Sequence, residues 1–201
     1  MPSSKKVLTA AIIMTTLGCV VFFLYFRTSS TQLAVPCNVS HVQTGDIILS
    51  AGNSFKSFIV KSTGMGTGRT PDYSHIGIFH RVGDSIHIVH MSVDTGFIEQ
   101  ESLEEYITTN EVIYYDIYRM RKPIANTAVL ASVIDSIVNV RIPFDHRYDM
   151  ESEDSYYCTE FVYKSLGHAG IKDVELIKYE KHLYPNDFVR SGIITRLQTH
   201  D

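Results

Sequence analysis

The chain has no tryptophan, only three cysteines, and no block of like charges longer than a pair in its 201 residues. Without a basic stripe it has nothing to lay along a phosphate backbone or an anionic headgroup surface, so nucleic acid is excluded as a partner. It lacks the close-spaced ligand pairs of a structural zinc site. It has no internal repeat, which excludes a solenoid. The glycine-rich stretch Thr63–Pro71 (TGMGTGRTP) lacks the Gly-Lys-Ser/Thr ending of a phosphate cradle, and no clear helix follows it. No cofactor is expected.

What is present starts at the N-terminus. Residues 7–26 (VLTAAIIMTTLGCVVFFLYF) are twenty residues without a charge. At about 1.5 Å per residue such a helix spans roughly 30 Å, the thickness of a bilayer's hydrocarbon core. The apolar run continues past Cys19, which argues against cleavage at that cysteine. Lys5 and Lys6 precede the run and only Arg27 follows it closely, so the short tail is expected in the cytoplasm. The expectation is a single-pass signal anchor with the rest of the chain on the extracytoplasmic side. Beyond residue 26 there remain 16 basic against 22 acidic residues.

The expected organisation is a tail at 1–6, a transmembrane helix at 7–26, a linker at 27–42 and one domain at 43–201. Composition supports a packed domain, since the chain is 44% hydrophobic and 20% charged. Strands are read at 45–49, 74–82, 85–91, 112–119 and 193–197. Helices are read at 102–107, 127–139 (capped by Asn126) and 155–167. Strands and helices mix without regular βαβ alternation. That pattern predicts an α+β domain with a mostly antiparallel sheet.

Cys158 lies on the last of these helices. With Phe161, Val162, Ser165, Leu166 and Ala169 it traces one helical face. Capping by Asp154 or Ser155 would place the thiol in the first turn, where free N–H groups and the helix dipole stabilise thiolate. The plainer reading is a packed cysteine or a disulfide to Cys37 in an oxidising compartment. Asn38-Val39-Ser40 is a glycosylation sequon.

The hairpin supplies the second half. A two-residue turn at Gly83-Asp84 sets His75 and His90 on one face, diagonal to each other and about 7–8 Å apart along the backbone. His80 and His87 oppose each other on the reverse face, where they read as solvated or packing residues. Zinc held by His75, His90 and Cys158 is the rival chemistry. A Cys–His hydrolase with a third orienting group fits better.

GDIIL (45–49), YSHIGI (73–78), the strand ending at His90-Met91, and YYCTEFVY (156–163) resemble the permuted papain-like amidases of the YiiX/YaeF type, relatives of NlpC-type cell-wall hydrolases. The resemblance covers residues 45–192. It implies a circularly permuted papain-like domain, a small antiparallel sheet packed on the cysteine-bearing helix. It also implies Cys158 as nucleophile, His75 as base and His90 as the third polar residue. The Cys158 N–H is then the expected oxyanion donor, with Tyr73 a side-chain candidate on sequence proximity alone. Asp46 and Glu160 are read as structural. The expected function is a membrane-anchored cysteine amidase acting through a thioester on a peptide-like or N-acyl amide, such as a cell-wall peptide. A lipid acyltransferase or esterase with the same chemistry, or a non-catalytic binding module, are the alternatives.

Overall fold

The computed structural model describes residues 32–52, 73–179 and 181–197. The apolar run at 7–26 and the glycine-rich stretch at 63–71 lie outside these residues. Among the described residues no helix is long and apolar enough to cross a membrane. A compact unit spans Leu33–Asp201.

In chain order its elements are β1 (Ile47–Gly52), β2 (His75–Val82), β3 (Ser85–Ser92), β4 (Phe97–Glu101), α1 (Leu103–Thr109), β5 (Val112–Met120), α2 (Thr127–Val140), α3 (Cys158–His168), a 3-10 turn (Lys172–Leu176), α4 (Pro185–Arg190) and β6 (Ile194–Arg196). The strands form one sheet in the order β4-β3-β2-β1-β5-β6, and every pairing is antiparallel. This is the expected α+β class.

β1 lies in the middle of the sheet and is buried along its whole length. Its alternating side chains feed two cores, because successive residues point to opposite faces. Ile47 and Leu49 join Ile76, Ile78 and Met91 under Leu130 and Ile134 of α2 and Phe161, Val162 and Leu166 of α3. Ile48 joins Phe79, Ile88 and Ile117 on the other face, under Leu103, Tyr106 and Ile107 of α1. A strand covered on both faces needs apolar residues at nearly every position, and IILSAG supplies them.

Residues 33–42, read as linker, are part of the packed unit. Val42 is buried, and Ala34, Cys37 and Val39 pack against the α1-side core. The Ala34 N–H reaches the Val112 carbonyl at 2.8 Å, and the Cys37 N–H reaches the Tyr115 hydroxyl at 2.9 Å. These contacts tie the segment to β5.

Asp46 and Glu160 serve the architecture. Asp46, almost fully buried, accepts a two-pronged bond from Arg119 at 2.8 and 2.7 Å and another from the Gln43 N–H at 2.9 Å. Glu160 pairs with Lys164 at 2.8 Å and accepts from the Tyr157 N–H at 3.2 Å. His80 takes the second of its two expected roles, packing, not solvation. It is buried, and its Nε2 bonds Asp135 of α2 at 2.9 Å. Its face of β2 turns toward that helix rather than toward water.

Gly77 sits where no other residue fits. A Cβ there would lie 2.8 Å from Ile88 Cγ2, 3.2 Å from Ile48 Cγ2 and 3.2 Å from the Val89 carbonyl. Two branched side chains and a backbone carbonyl cannot all retreat from a packed face. Gly77→Ala is expected to lower stability by about 1–3 kcal/mol, read from urea unfolding midpoints.

Candidate active site

The hairpin register is the predicted one: Ile78 pairs with Val89, and the pairing runs on to Val82 with Ser85. The β2–β3 ladder stops at Ile78. From His75 to Gly77, β2 pairs with β1 alone. Phe79 turns its N–H toward β1, to the Asp46 carbonyl. Amide direction alternates along a strand, so the Ile76 N–H points to the opposite side, where β3 no longer accepts it. It donates to the Cys158 sulfur instead. The peptide joining His75 to Ile76 therefore lies directly against the thiol.

α3 begins at Cys158, with Tyr157 as its N-cap residue. This is three residues later than the sequence pattern indicated, so Asp154 and Ser155 do not cap it. The delay has a cause: Tyr156 forms a bridge with Phe144, its N–H reaching the Pro143 carbonyl at 3.0 Å while the Asp145 N–H reaches the Tyr156 carbonyl at 2.9 Å. That pairing holds the chain extended up to the cap. Cys158 becomes the first helical residue, where its own N–H and that of Thr159 favour its thiolate. Three backbone N–H groups thus act on the thiol in favour of its ionised form.

Cys158 and Cys37 are both free, so the disulfide alternative is not formed. Burial pushes the Cys158 thiol up to about 11, and the surrounding N–H groups only partly offset it. The depressed value expected from a helix N-terminus is therefore not reached, because enclosure outweighs the dipole.

His75 and His90 meet as their placement on one face predicted. His75 Nε2 and His90 Nδ1 are 2.9 Å apart, with ring planes at 89°. The other nitrogen of His90, Nε2, lies 2.9 Å from Glu101 Oε2 on the edge strand β4. Burial raises the Glu101 pKa, but bonds from His90, Thr109 and Asn110 outweigh it and hold the carboxylate below its ordinary range. Tyr106 packs on both imidazoles, stacked with His75 and edge-on to His90. Its hydroxyl is engaged with Ser50 at 2.8 Å.

Burial, and then the neighbouring His90, hold His75 well below the usual histidine range. The unfolded chain therefore binds a proton at His75 more readily than the folded one. Stability from this site is complete above about pH 6.5, the ordinary histidine value, and is lost as pH falls below it. Urea midpoints at pH 7.5 and 5.5 are expected to differ less in His75→Gln than in the wild type.

Tyr73 does not face the thiol with a free hydroxyl. It donates to Asp116 and lies 2.9 Å from the Tyr118 hydroxyl. Tyr114 donates to the same carboxylate, and Arg196 pairs with it. Three other tyrosines, Tyr106, Tyr148 and Tyr157, interact electrostatically with Cys158. The Tyr157 hydroxyl accepts from the Leu183 N–H at 3.0 Å. Tyr148 is 37% exposed and adopts a left-handed φ of 56°, its carbonyl bonded by His182 at 2.7 Å. A bulky residue in that conformation is strained, and strain of this kind collects at functional sites.

The structure joins His75 to His90 and sets Cys158 at the start of α3, while Glu101, Tyr106, Tyr148 and the Ile76 N–H near them were not anticipated. Nothing in the stretch FIEQE singles out Glu101 from Glu99, since it carries no regular alternation. The Ile76 amide has no signature in residue type. Two clefts elsewhere among the described residues, one beside Asp46 and Arg119 and one between Ala34 and Arg196, are lined by neither Cys158 nor His75.

Comparison with known proteins bears on the fold and the family. The fold is similar to the crystal structure of metalloprotein YiiX from Escherichia coli O157:H7. The TM-score is 0.61 at 19% identity, covering 79% of this chain and 97% of that one. No curated protein matches. The family model described as permuted papain-like amidase enzyme, YaeF/YiiX, C92 family, matches residues 41–197, a stretch that includes β1, the histidine hairpin and the cysteine helix. The chain belongs to that family of permuted papain-like amidases.

Proposed function

We propose that the chain is a cysteine amidase whose nucleophile is Cys158 and whose general base is His75. The observation that carries this reading is that the Ile76 N–H, on the peptide that follows His75, acts on the Cys158 thiol at the start of α3. A thiol held there adjoins the backbone of the candidate base and has N–H groups that can serve a developing oxyanion.

In the proposed reaction Cys158 sulfur attacks the carbonyl carbon of an amide as His75 takes the thiol proton. The tetrahedral oxyanion is held by the N–H of Cys158 with a neighbouring amide. Collapse breaks the C–N bond, and His75 gives its proton to the leaving amine. Water, deprotonated by His75, then cleaves the thioester and restores the thiol. Because burial keeps both partners neutral at rest, the proton leaves sulfur as the new bond forms.

The solved relative is described as a metalloprotein. Here His75 Nε2 and His90 Nδ1 are bonded to each other instead of converging on a common point. No group of three or more metal-ligating side chains forms among the described residues. The arrangement does not fit a metal ion, and the reading routes no step through one.

The N-terminal apolar run places the enzyme, in this reading, on a membrane with the catalytic unit on the extracytoplasmic side. Its substrate would be a peptide-like or N-acyl amide met at that surface. The test is hydrolysis of a panel of N-acyl amino acids and short cell-wall peptides by the full-length chain in detergent. Release of free amine that disappears in Cys158→Ala supports the reading. Transfer of the acyl group to an added alcohol or amine, with no net hydrolysis, would favour the acyltransferase alternative.

A further inference from the structure

We propose that Glu101 is a positioning residue that fixes, through His90, which nitrogen of His75 is free to take the thiol proton. This rests on the amidase reading above and extends it to a carboxylate that touches neither the thiol nor His75.

Hydrogen-bond polarity fixes the tautomers of the two histidines. An ionised carboxylate only accepts, and a neutral imidazole carries one N–H and one lone pair. Glu101 Oε2 lies 2.9 Å from His90 Nε2 and also 3.1 Å from Asn110 Nδ2. The Asn110 amide nitrogen reaches the Tyr106 carbonyl at 3.0 Å as well, and a second acceptor confirms which end of that amide faces Glu101. Oε2 therefore accepts from both sides, and His90 carries its hydrogen on Nε2. His90 Nδ1 is then a lone pair, so the 2.9 Å contact to His75 must be donated by His75 Nε2–H. The remaining nitrogen of His75, Nδ1, is left with the lone pair that a general base requires.

The polarity runs one way only while the carboxylate end is an acceptor. If His90 bound its hydrogen on Nδ1, it would donate to His75 Nε2. His75 would then carry its proton on Nδ1 and could no longer act as base there. Two imidazoles in series thus carry an instruction from edge strand β4 to β2. Tyr106, packed on both rings, keeps them from turning out of line. Glu101 is 12% exposed, so water competes little for its oxygen.

The requirement is for an acceptor at this place rather than for a charge. Glu101→Gln can present its carbonyl oxygen to His90 and Asn110, whereas Glu101→Leu keeps the bulk and removes the acceptor. With the full-length chain and p-nitrophenyl acetate as probe, the burst of nitrophenolate is expected to fall about 100-fold or more in Glu101→Leu. In Glu101→Gln it is expected to stay within about tenfold of wild type. Nitrogen NMR of histidine-labelled wild-type protein should find His75 and His90 both protonated at Nε2, and this reading needs no variant to fold.

A wild-type burst in Glu101→Leu, equal losses in both variants, or His75 protonated at Nδ1 would each overturn the proposal. His75→Ala separates the two levels. If it bursts like wild type, the amidase reading itself has failed. If it is inactive while Glu101→Leu is not, only the role of Glu101 has failed.

Discussion

Cys158→Ala is expected to abolish acyl-enzyme formation, and His75→Ala to slow it by about 10³–10⁴-fold, the scale of losing one member of a nucleophile–base pair. The reason is the resting protonation of the site. Burial pushes the thiol up to about 11 and pushes His75 well below its ordinary value, so no preformed ion pair supplies thiolate. In the proposed reaction attack depends on His75 taking the proton during the step. The N–H groups of Cys158, Thr159 and Ile76 remain in His75→Ala, so acylation slows without vanishing. In Cys158→Ala no bond to the acyl group can form. Burst kinetics with an activated ester measure both, and circular dichroism checks that each variant is folded.

Alkylation of Cys158 by iodoacetamide should climb through neutrality and keep rising toward pH 11, with no plateau between pH 4 and 7. With a thiol near 11, the thiolate fraction at pH 7 is on the order of 10⁻⁴. The sign follows from burial, which penalises the charged form of a thiol and so raises its pKa. A helix N-terminus acts in the opposite direction, but here its N–H groups act inside an enclosed site and do not overcome the loss of water. A flat rate across pH 4–7 would mean that Cys158 and His75 share a stable ion pair, contradicting the neutral resting state. Rates for Cys37 provide an internal comparison on the same chain.

The elements of the fold that sequence made legible are those with a strong local pattern. The histidine hairpin follows from alternation and a Gly83-Asp84 turn, and its register matches residue for residue from Ile78 to Val82. α2 follows from its apolar spacing and the Asn126 cap, whose side chain accepts from the Val129 N–H at 3.2 Å. β4 and α4 were not read. β4 is a short edge strand with acidic residues at two of five positions, and α4 is only six residues long. Neither carries enough of a period to stand out.

The site divides in the same way. Cys158 and His75 stand out as candidates because their local patterns are specific, and the place of His90 beside His75 follows from strand parity. Glu101 is not, because its contact with His90 depends on how β4 pairs with β3: Glu99 stands directly opposite His90, yet Glu101 makes the bond. The start of α3 was misplaced because a long-range bridge between Phe144 and Tyr156 decides it, and local propensity cannot see a partner twelve residues away. Residues 33–42 read as linker for a similar reason, since their contacts are with β5 and the core under α1.

Cys158 as nucleophile is tested most directly by mass spectrometry of the full-length chain, quenched in acid during the p-nitrophenyl acetate burst. The account predicts a single acetyl group on the peptide containing Cys158, formed at the rate of the burst, lost in Cys158→Ala and slow to form in His75→Ala. An acetyl group on another residue, or a burst that continues in Cys158→Ala, would contradict it.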